Sequence, residues 1–491
     1  MGADRAEGKR VKSLRPLIAV LLLTGCVVGP NSKKSVAPPS ESGRFVEGHV
    51  SPAVAEAPIE TEWWRLFDQP ALDRLVAEAL AHNTDIRIAA ANLQKARAIL
   101  SEARTARLPT TEVDASFTRQ RSRISSGSGG GSGSTGASST FNYYALGFDA
   151  SYEVDLFGGV TRSIQAARRD AASAAAALDA ARVSIAAETA RSYAQACSFA
   201  DQAQVARETT RFQDETVALT RKLFDLGRTS RLEYAQAVAL AEATRATIPG
   251  LEAEHRASLY ALAVLTGHPP AEVDAIAADC TKTPRVKVAI PVGDGAALLR
   301  RRPDVRQAER TLAADTARIG VATADMFPKI TLLGSAGIGA PRFSDLDRKS
   351  AFTFSFGPLI SWSFPNLLAA RARLRQARAQ GDASLAAFDG TVLNALKEVE
   401  QALARYAGQL DRNASLVRAE AASADAANLS RIRFNAGSDS FLQLLTAERA
   451  RALARAELAS SNADVADAQV SLFKALGGGW ENAPPVTAAS R

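Results

Sequence analysis

A stretch of 67 residues without glycine or proline, residues 160–226, sets the strongest limit on what this chain can fold into. Glycine and proline are the poorest helix formers, whereas alanine, which is abundant here, is the best. At 1.5 Å per residue, an uninterrupted helix of this length extends roughly 100 Å. Helices in ordinary globular domains are far shorter, so the stretch predicts an elongated architecture built from long helices.

A second proline-free region, between Pro365 and Pro484, has the same character. In both halves apolar residues recur in alternating steps of three and four, the pattern of a coiled-coil seam. The first seam contains Val205, Thr209, Phe212, Thr216, Leu219, Leu223 and Leu226, and the second contains Leu385, Phe388, Val392, Leu396, Val399, Leu403, Tyr406 and Leu410. An ordinary helical bundle is the alternative, and the length of the helices argues against it.

A period of two replaces the helical period in "NYYALGFDASYEVDLF" at 142–157 and in "FTFSFGPLISWSF" at 352–364. Apolar residues, many of them aromatic, occupy one face, and aspartate, serine and threonine occupy much of the other. Long strands of this kind are typical of transmembrane β-barrels, whereas strands of a soluble sandwich are usually shorter. With two further strands near 110–121 and 329–339, the pattern predicts two β-hairpins, at 110–157 and 329–364.

The order helix, hairpin, long helix, turn, helix occurs twice, which indicates an internal duplication. The matching pairs are Pro109 and Pro328, Phe157 and Phe364, Gly227 and Gly437, and Leu265 and Leu476, at offsets of 219, 207, 210 and 211 residues. We therefore place the first structural repeat at 71–267 and the second at 301–478. A linker at 268–300 lies between them, and a tail follows at 479–491.

Each long helix is followed by the same short motif, a glycine and then a serine that begins a capping box. Glycine suits the left-handed residue that ends a helix, and the spacing Ser-x-x-Glu or Ser-x-x-Gln starts the next one. The residues are Gly227, Ser230 and Glu233 in the first repeat and Gly437, Ser440 and Gln443 in the second. We call Gly227–Glu233 the first tip turn and Gly437–Gln443 the second, and predict that each forms the tip of a helical hairpin.

The N-terminus combines a basic leader with about eight apolar residues, too few for a spanning helix and typical of a secretory signal. Its end, Leu23-Thr24-Gly25-Cys26, resembles the bacterial lipobox. The resemblance implies cleavage of a signal peptide at 1–25 and acyl chains such as palmitate on Cys26. The acylated N-terminal segment is then expected to span 26–70.

Composition excludes several classes of function. Removing the leader, with five basic and two acidic residues, lowers the formal charge from +7 to +4, and the charges are interspersed, so no nucleic-acid footprint is present. The four histidines lack metal-ligand spacing, and "SGSGGGSGSTG" at 126–136 lacks the lysine of a phosphate loop. We therefore expect neither an enzyme nor a cofactor. Cys197 fits a small buried residue and Cys280 a loop, so a disulfide between them is the less favoured alternative.

Four strands per chain cannot form a membrane structure alone, because an open sheet leaves backbone groups unsatisfied in lipid. Single-chain barrels begin at eight strands. Several copies are therefore expected to share one barrel, continued by the helices as a coiled-coil cylinder.

Five segments carry a family resemblance: "WWRLFDQPALDRLVAEAL", "YEVDLFGGVTR", "LLRRRPDVRQAER", "MFPKITLLGSAG" and "FNAGSDSFLQLLTAERA". They resemble the outer-membrane factor (TolC-like) family in its lipoprotein efflux (NodT-type) branch. The resemblance implies a mostly α fold with a β-barrel part: a homotrimer with a 12-stranded barrel in outer-membrane lipid and a long periplasmic α-barrel. An equatorial belt around the helices, to which the segment 26–70 and the equatorial linker 268–300 contribute, is implied as well. It also implies a passive exit duct that works with a periplasmic adaptor and an inner-membrane transporter of the RND type.

Asp439 falls, by that resemblance, where family members place an acidic ring at the closed entrance. We expect Arg228 and Arg231 of the first tip turn to pair with it and form a periplasmic gate; a solvated turn residue is the alternative for Asp439. Two other functions stay open at this point, an outer-membrane duct for type I protein secretion and a non-channel coiled-coil lipoprotein of the periplasm.

Overall fold

A computed structural model describes residues 27–32, 43–49, 52–123, 138–272, 275–365 and 367–484. The signal peptide, Cys26 and the glycine- and serine-rich stretch at 126–136 lie outside the described residues, as does the tail from residue 485. The predictions made for them are not addressed by the fold.

Long α-helices dominate the chain, as predicted. They are α1 Pro70–His82, α2 Thr84–Thr105, α3 Gly159–Asp225, α4 Arg231–Arg245, α5 Ile248–Leu265, α6 Ala275–Ala278, α7 Gly295–Arg301, α8 Pro303–Ala324, α9 Leu368–Asn435 and α10 Phe441–Leu476. Short 3-10 helices occur at Glu47–His49, Trp63–Phe67, Phe343–Asp345 and Lys349–Ala351. No described helix is both long enough and apolar enough to cross a membrane.

The four predicted long strands are present and form one antiparallel sheet. The four long strands are β2 Thr110–Arg123, β3 Ser138–Val154, β5 Lys329–Ala340 and β6 Phe352–Ser361. Two short strands, β1 Val54–Ala55 and β4 Ile290–Pro291, are also present. The large sheet has the order β2-β3-β5-β6, so each hairpin is continuous and the two hairpins pair through β3 and β5. The short β1 and β4 pair separately and in parallel.

The register of the large sheet sorts its side chains into apolar and polar rows. One row consists of Val113, Phe148, Ala336 and Phe354, and the next consists of Glu112, Asp149, Ser335 and Ser355. Successive residues of a strand point to opposite faces, so these rows lie on opposite sides of the sheet. In the polar row the hydroxyls of Ser335 and Ser355 lie 2.8 Å apart. The sheet thus has one apolar and one polar face, as the alternation predicted.

The duplicated order of elements is present, with one difference between the repeats. After the second tip turn a single helix, α10, runs over 36 residues. After the first tip turn the return path is divided into α4 and α5, and Pro249 lies in the first turn of α5. Proline has no backbone N–H and clashes with the carbonyl four residues earlier, which explains the interruption.

The chain divides into two compact units. The strand unit comprises the described residues of Met1–Lys34, Lys95–Ala171 and Arg310–Ala386, and the helical unit those of Ser35–Gln94, Ala172–Glu309 and Ala387–Arg491. In the strand unit Leu100, Ile164, Ala167 and Ala171 form a small buried cluster. The helical unit holds the larger core, in which Trp63 stacks on Phe473 with ring centroids 4.8 Å apart.

Only part of each predicted seam is buried in the single chain. In the second seam Val392, Val399, Leu403 and Tyr406 are buried, whereas Leu385 is exposed. In the first seam Thr209 and Thr216 are buried, and Leu219 and Leu226 are exposed.

Cys197 and Cys280 form a disulfide, so the expectation of two separate cysteines is wrong. Their Cα atoms lie 5.0 Å apart, and Cys197 is fully buried. The segment that follows Cys280 is held along the helices by polar contacts: Arg285 donates to Asn413 and Asn462, and Gln469 bonds both the N–H and the C=O of Val286. Helical periodicity does not reveal such a pairing, because the packing of the linker brings the two cysteines together.

Candidate functional site

The first tip turn begins where α3 ends. Gly227 has a φ of +71°, and its N–H bonds the carbonyl of Phe224 while the N–H of Arg228 bonds that of Leu223. These two bonds define a Schellman motif, which satisfies carbonyls that the end of a helix leaves free. A Cβ on Gly227 would meet no atom within 4 Å, so the glycine is required by backbone conformation and not by space.

A complete capping box follows, as the sequence predicted. The Ser230 hydroxyl accepts from the N–H of Glu233 at 3.3 Å, and the Glu233 carboxylate accepts from the N–H of Ser230 at 2.8 Å. The hydroxyl of Thr229 also donates to that carboxylate. The bonds from the Thr229 hydroxyl and the Ser230 N–H favour the charged form, and they hold the pKa of Glu233 below its ordinary value.

The second tip turn repeats this backbone closely. Gly437 has a φ of +79° and bonds Phe434, while the N–H of Ser438 bonds the carbonyl of Arg433. The capping box is again complete, with Ser440 and Gln443 joined by bonds of 3.3 and 2.8 Å. Here the reciprocal acceptor is an amide oxygen and carries no charge.

An aromatic pair braces each tip turn across the two helices that it joins. Phe224 stacks on Tyr234 with centroids 6.2 Å apart, and Phe434 meets Phe441 edge-on at 5.9 Å. Aromatic pairs at such distances add stabilisation beyond their buried area, so each tip holds its two helices at a fixed spacing.

Asp439 has its partner within its own tip turn. The Nε of Arg433 donates to Asp439 Oδ1 at 2.9 Å, and the Asp439 side chain is only 9% exposed. The turn folds back over the last turn of α9, which places Asp439 beside Arg433. Within one chain Asp439 therefore pairs with Arg433, and a gate in which Arg228 and Arg231 pair with Asp439 stays a prediction. Both arginines are exposed, and neither side chain has a hydrogen bond or ion pair to another residue in the described ranges.

A buried carboxylate above the tips, Glu448 of α10, was missed by sequence reasoning. Its Oε1 accepts from Arg431 of α9 at 2.6 Å and from Thr216 of α3 at 2.9 Å. Glu448 is 8% exposed, so these three residues form a buried polar contact between three helices. A signal was available, because Glu448 follows the buried Phe441 and Leu444 at helical spacing and so interrupts an apolar seam.

Two further ion pairs tie helices together in this region. Arg245 of α4 donates to both carboxylate oxygens of Asp214 on α3, at 2.7 and 2.9 Å. Arg455 of α10 donates to Glu208 of α3 at 2.8 Å, and this bond lowers the pKa of Glu208. The Arg245–Asp214 pair joins two helices of the first repeat, whereas the Arg455–Glu208 pair joins the second repeat to the first.

The arrangement holds no catalytic constellation. Within the described part of the chain, no group of three or more histidine, cysteine, aspartate or glutamate side chains is placed to hold a metal ion. The tip turns carry charges at helix ends, and hydrogen bonds and ion pairs join the neighbouring helices.

Comparison with known proteins gives a consistent result. The sequence profile described as "Outer membrane efflux protein" matches residues 75–268 and 296–478. Nodulation protein T of Rhizobium leguminosarum bv. trifolii is 29% identical over 466 residues, which cover 94% of this chain and 96% of that protein. Outer membrane protein OprJ of Pseudomonas aeruginosa is 31% identical over 471 residues and 95% of both chains.

A solved structure of the outer-membrane channel OprN has a similar fold. It superposes with a TM-score of 0.85 at 36% identity, covering 93% of this chain and 100% of that one. The fold class predicted from the sequence, a TolC-like chain of long helices with a small sheet, is thereby confirmed.

Proposed function

Because this chain belongs to the outer membrane efflux protein family, we propose that it is the passive exit duct for small molecules in a tripartite pump, with its gate at the two tip turns. It is a non-enzymatic channel component of the outer membrane that extends into the periplasm. The relatives favour efflux over the two alternatives, a protein secretion duct and a non-channel lipoprotein. We propose drugs and other small molecules as cargo.

The open sheet supports a homotrimer. Its outer strands β2 and β6 each have one neighbour in the sheet, so each presents an edge with unpaired backbone groups. Such edges are not tolerated in lipid. Three copies supply twelve strands, and pairing β2 of one copy with β6 of the next would close them into a barrel. A periplasmic adaptor and an inner-membrane transporter of the RND type would complete the pump.

The charges at the tips support a gate. In a trimer, three copies of Asp439 would lie near the axis and form a constriction that attracts cations. Arg433 holds each carboxylate in place, and Arg228 and Arg231 are available to the tips of a neighbouring copy. The observation that carries the gate is Glu448, because its contact with Arg431 and Thr216 joins the helices that lead to both tip turns. Opening would separate these helices when the adaptor stabilises the open population.

Single-channel recording in planar bilayers tests this proposal. Asp439→Ala is expected to raise conductance and reduce cation preference, and Glu448→Ala is expected to raise conductance by loosening the closed tips. Asp425→Ala is the matched control, since Asp425 is an exposed aspartate on α9 away from both turns. If neither tip variant differs from the wild type in conductance or selectivity, the gate lies elsewhere in the duct.

We also propose that Cys26 is the mature N-terminus and carries acyl chains. The lipobox-like Leu23-Thr24-Gly25-Cys26 supports this. Mass spectrometry of the purified protein is expected to show a chain that begins at residue 26 with the added mass of its acyl groups. An unmodified N-terminus would contradict it.

A further inference from the structure

The first described segment, residues 27–32, is fixed against the strand unit. The N–H of Val28 bonds the carbonyl of Phe157 at 3.2 Å. Gly29 has a φ of +89° and lies directly on Gly320 of α8, where a Cβ would come within 2.5 Å of the Gly320 Cα. This contact requires a glycine at position 29, because any side chain there would clash with α8. The glycine therefore allows residues 27–32 to pack directly on α8.

Arg162, in the first turn of α3, anchors the same segment. Its Nε donates to the carbonyl of Val28 at 3.1 Å and its Nη2 to that of Gly29 at 3.1 Å, while Nη1 donates to Gln165 at 3.0 Å. The residue is 4% exposed. These acceptors satisfy hydrogen bonds but are uncharged, and no carboxylate among the described residues pairs with Arg162. A buried guanidinium normally has a counter-charge, because isolating its charge from water is costly.

A cavity of about 320 Å³ lies beside Arg162. The lining consists of a segment with three residues, a face of α3 with three arginines and a glutamine, and two alanines of α8: Pro30, Asn31, Ser32, Arg162, Gln165, Arg168, Arg169, Ala313 and Ala317. The lining therefore brings together three guanidinium groups, and it includes no carboxylate. Neither Arg168 nor Arg169 has an ion pair with a described residue, so within the described ranges none of the three positive charges has a carboxylate partner.

The cavity lies close to the level at which membrane headgroups are expected. Phe157 follows the end of β3 and Phe327 precedes the start of β5, and their stacked rings have centroids 4.6 Å apart. Trp362 and Phe364 follow the end of β6, and their rings stack at the same centroid distance of 4.6 Å. Aromatic residues of membrane barrels concentrate at the interfaces. Arg162 follows Phe157 by five residues, and side chains on a helix lean toward its N-terminus, so Arg168 and Arg169 reach back toward the strand ends.

We propose that this cavity binds the phosphate of an anionic phospholipid in the periplasmic leaflet of the outer membrane. Arginine matches phosphate in charge and in the geometry of paired N–H donors, and Asn31 and Ser32 add neutral polar groups. The proposed acyl chains on Cys26 would hold residues 27–32 on the lipid-facing side, and to that extent the inference rests on the proposed lipidation. The single negative charge of the phosphodiester would offset one of the three positive charges, and the bound lipid would fix the N-terminal segment at the membrane surface.

Native mass spectrometry of the detergent-solubilised full-length protein tests the inference. Phosphatidylglycerol is expected to remain bound at up to one molecule per chain, and diacylglycerol, which lacks the phosphate, is not. The double variant Arg168→Gln/Arg169→Gln is expected to bind phosphatidylglycerol about tenfold more weakly, because charge-assisted hydrogen bonds are lost. The matched control is Arg375→Gln/Arg378→Gln, which removes two exposed arginines at a similar distance from the start of α9 and is expected to bind as the wild type does.

Three results would overturn the site. These are equal retention of phosphatidylglycerol and diacylglycerol, unchanged binding by Arg168→Gln/Arg169→Gln, and inorganic phosphate or glycerophosphoglycerol binding as tightly as the lipid, which would indicate a free-anion site. The same spectra separate this test from that of lipidation. Gas-phase activation removes a bound lipid but leaves covalent acyl groups on Cys26, so an arginine-dependent lipid on an unacylated chain would support the site while contradicting the lipidation.

Discussion

In the first tip turn the capping acceptor is a carboxylate, Glu233, whereas in the second an uncharged amide, Gln443, makes the same two bonds. The backbones agree, with a left-handed glycine, a Schellman motif and a capping box in each. The charges of the two tip turns differ. The first tip turn has the exposed Arg228 and Arg231, whereas in the second Asp439 forms an ion pair with Arg433. The glycine and the serine determine the turn, so the remaining positions were free to diverge after the duplication.

The repeats also differ in how their tips are held. The disulfide between Cys197 and Cys280 encloses the first tip turn, α4 and α5 within one covalent loop. No cross-link between described residues encloses the second tip turn, which is held by the Phe434–Phe441 contact and by hydrogen bonds and ion pairs, among them those of Arg433 and Glu448. We infer that the second tip is the more easily displaced of the two, which agrees with a gate centred on Asp439.

The largest expected effect tests the equivalence of the two hairpins. Phe148 and Phe354 lie in the same apolar row, at 46% and 75% exposure in the single chain. Phe148→Arg and Phe354→Arg are each expected to block membrane insertion, since a cation on the lipid face costs about 2–4 kcal/mol near the midplane. Ser355→Arg, on the polar face, is the control and should insert. Fractionation of outer membranes measures the result, and insertion of only one of the two phenylalanine variants would show that the hairpins are not equivalent.

Removal of the disulfide tests the difference between the tips. Cys280→Ser is expected to lower the free energy of unfolding by roughly 2–4 kcal/mol, because a cross-link between residues separated by 83 positions restricts the unfolded chain. Thermal unfolding with and without reductant measures this loss. Hydrogen exchange should increase mainly in α4 and α5, and an equal increase at the second tip turn would contradict the asymmetry.

The glycines that end α3 and α9 test the similarity of the two tip turns, since the same substitution should have the same effect at both. Gly227→Ala and Gly437→Ala are each expected to destabilise their turn by about 1 kcal/mol, because alanine is disfavoured at positive φ. Neither change creates a steric clash, as no atom lies within 4 Å of either Cβ position. Local hydrogen exchange at each turn gives the measurement, and a severalfold larger effect at one turn would show that its backbone carries a further constraint.

The smallest expected effect is a dependence of the first tip turn on pH. The pKa of Glu233 is lowered in the folded chain, so its capping bonds add stability above the ordinary glutamate value of 4.5. That stability is lost as the pH falls through the folded pKa. Gln443 does not titrate, so the capping box of the second tip turn should not weaken in the same way. Hydrogen exchange at Ser230–Tyr234, corrected for the intrinsic rate, should rise on acidification in the wild type but not in Glu233→Gln. A parallel rise at the second tip turn would point to a different titrating group.

Sequence alone predicted the features that depend on local order. Helix length, strand alternation, the duplication and both capping boxes follow from residue spacing, and all are present. The disulfide was not predicted, because it depends on how the linker packs along α3. The pairing of Asp439 with Arg433 within the chain was not predicted either, because it depends on the path of the turn. Glu448 was overlooked although its position in an apolar seam marks it.

The disulfide between Cys197 and Cys280 gives the two tip turns different chain connectivity, because the first lies inside the covalent loop and the second lies outside it. A protease that cuts after Arg228 or Arg231 breaks the chain inside the loop, so both fragments stay joined through sulfur. A cut at the second tip turn lies outside any cross-link between described residues and divides the polypeptide into two separate pieces. On a non-reducing gel, protein cut at the first tip turn therefore migrates as one species with the mass of the full-length chain. Protein cut at the second tip turn gives two smaller bands.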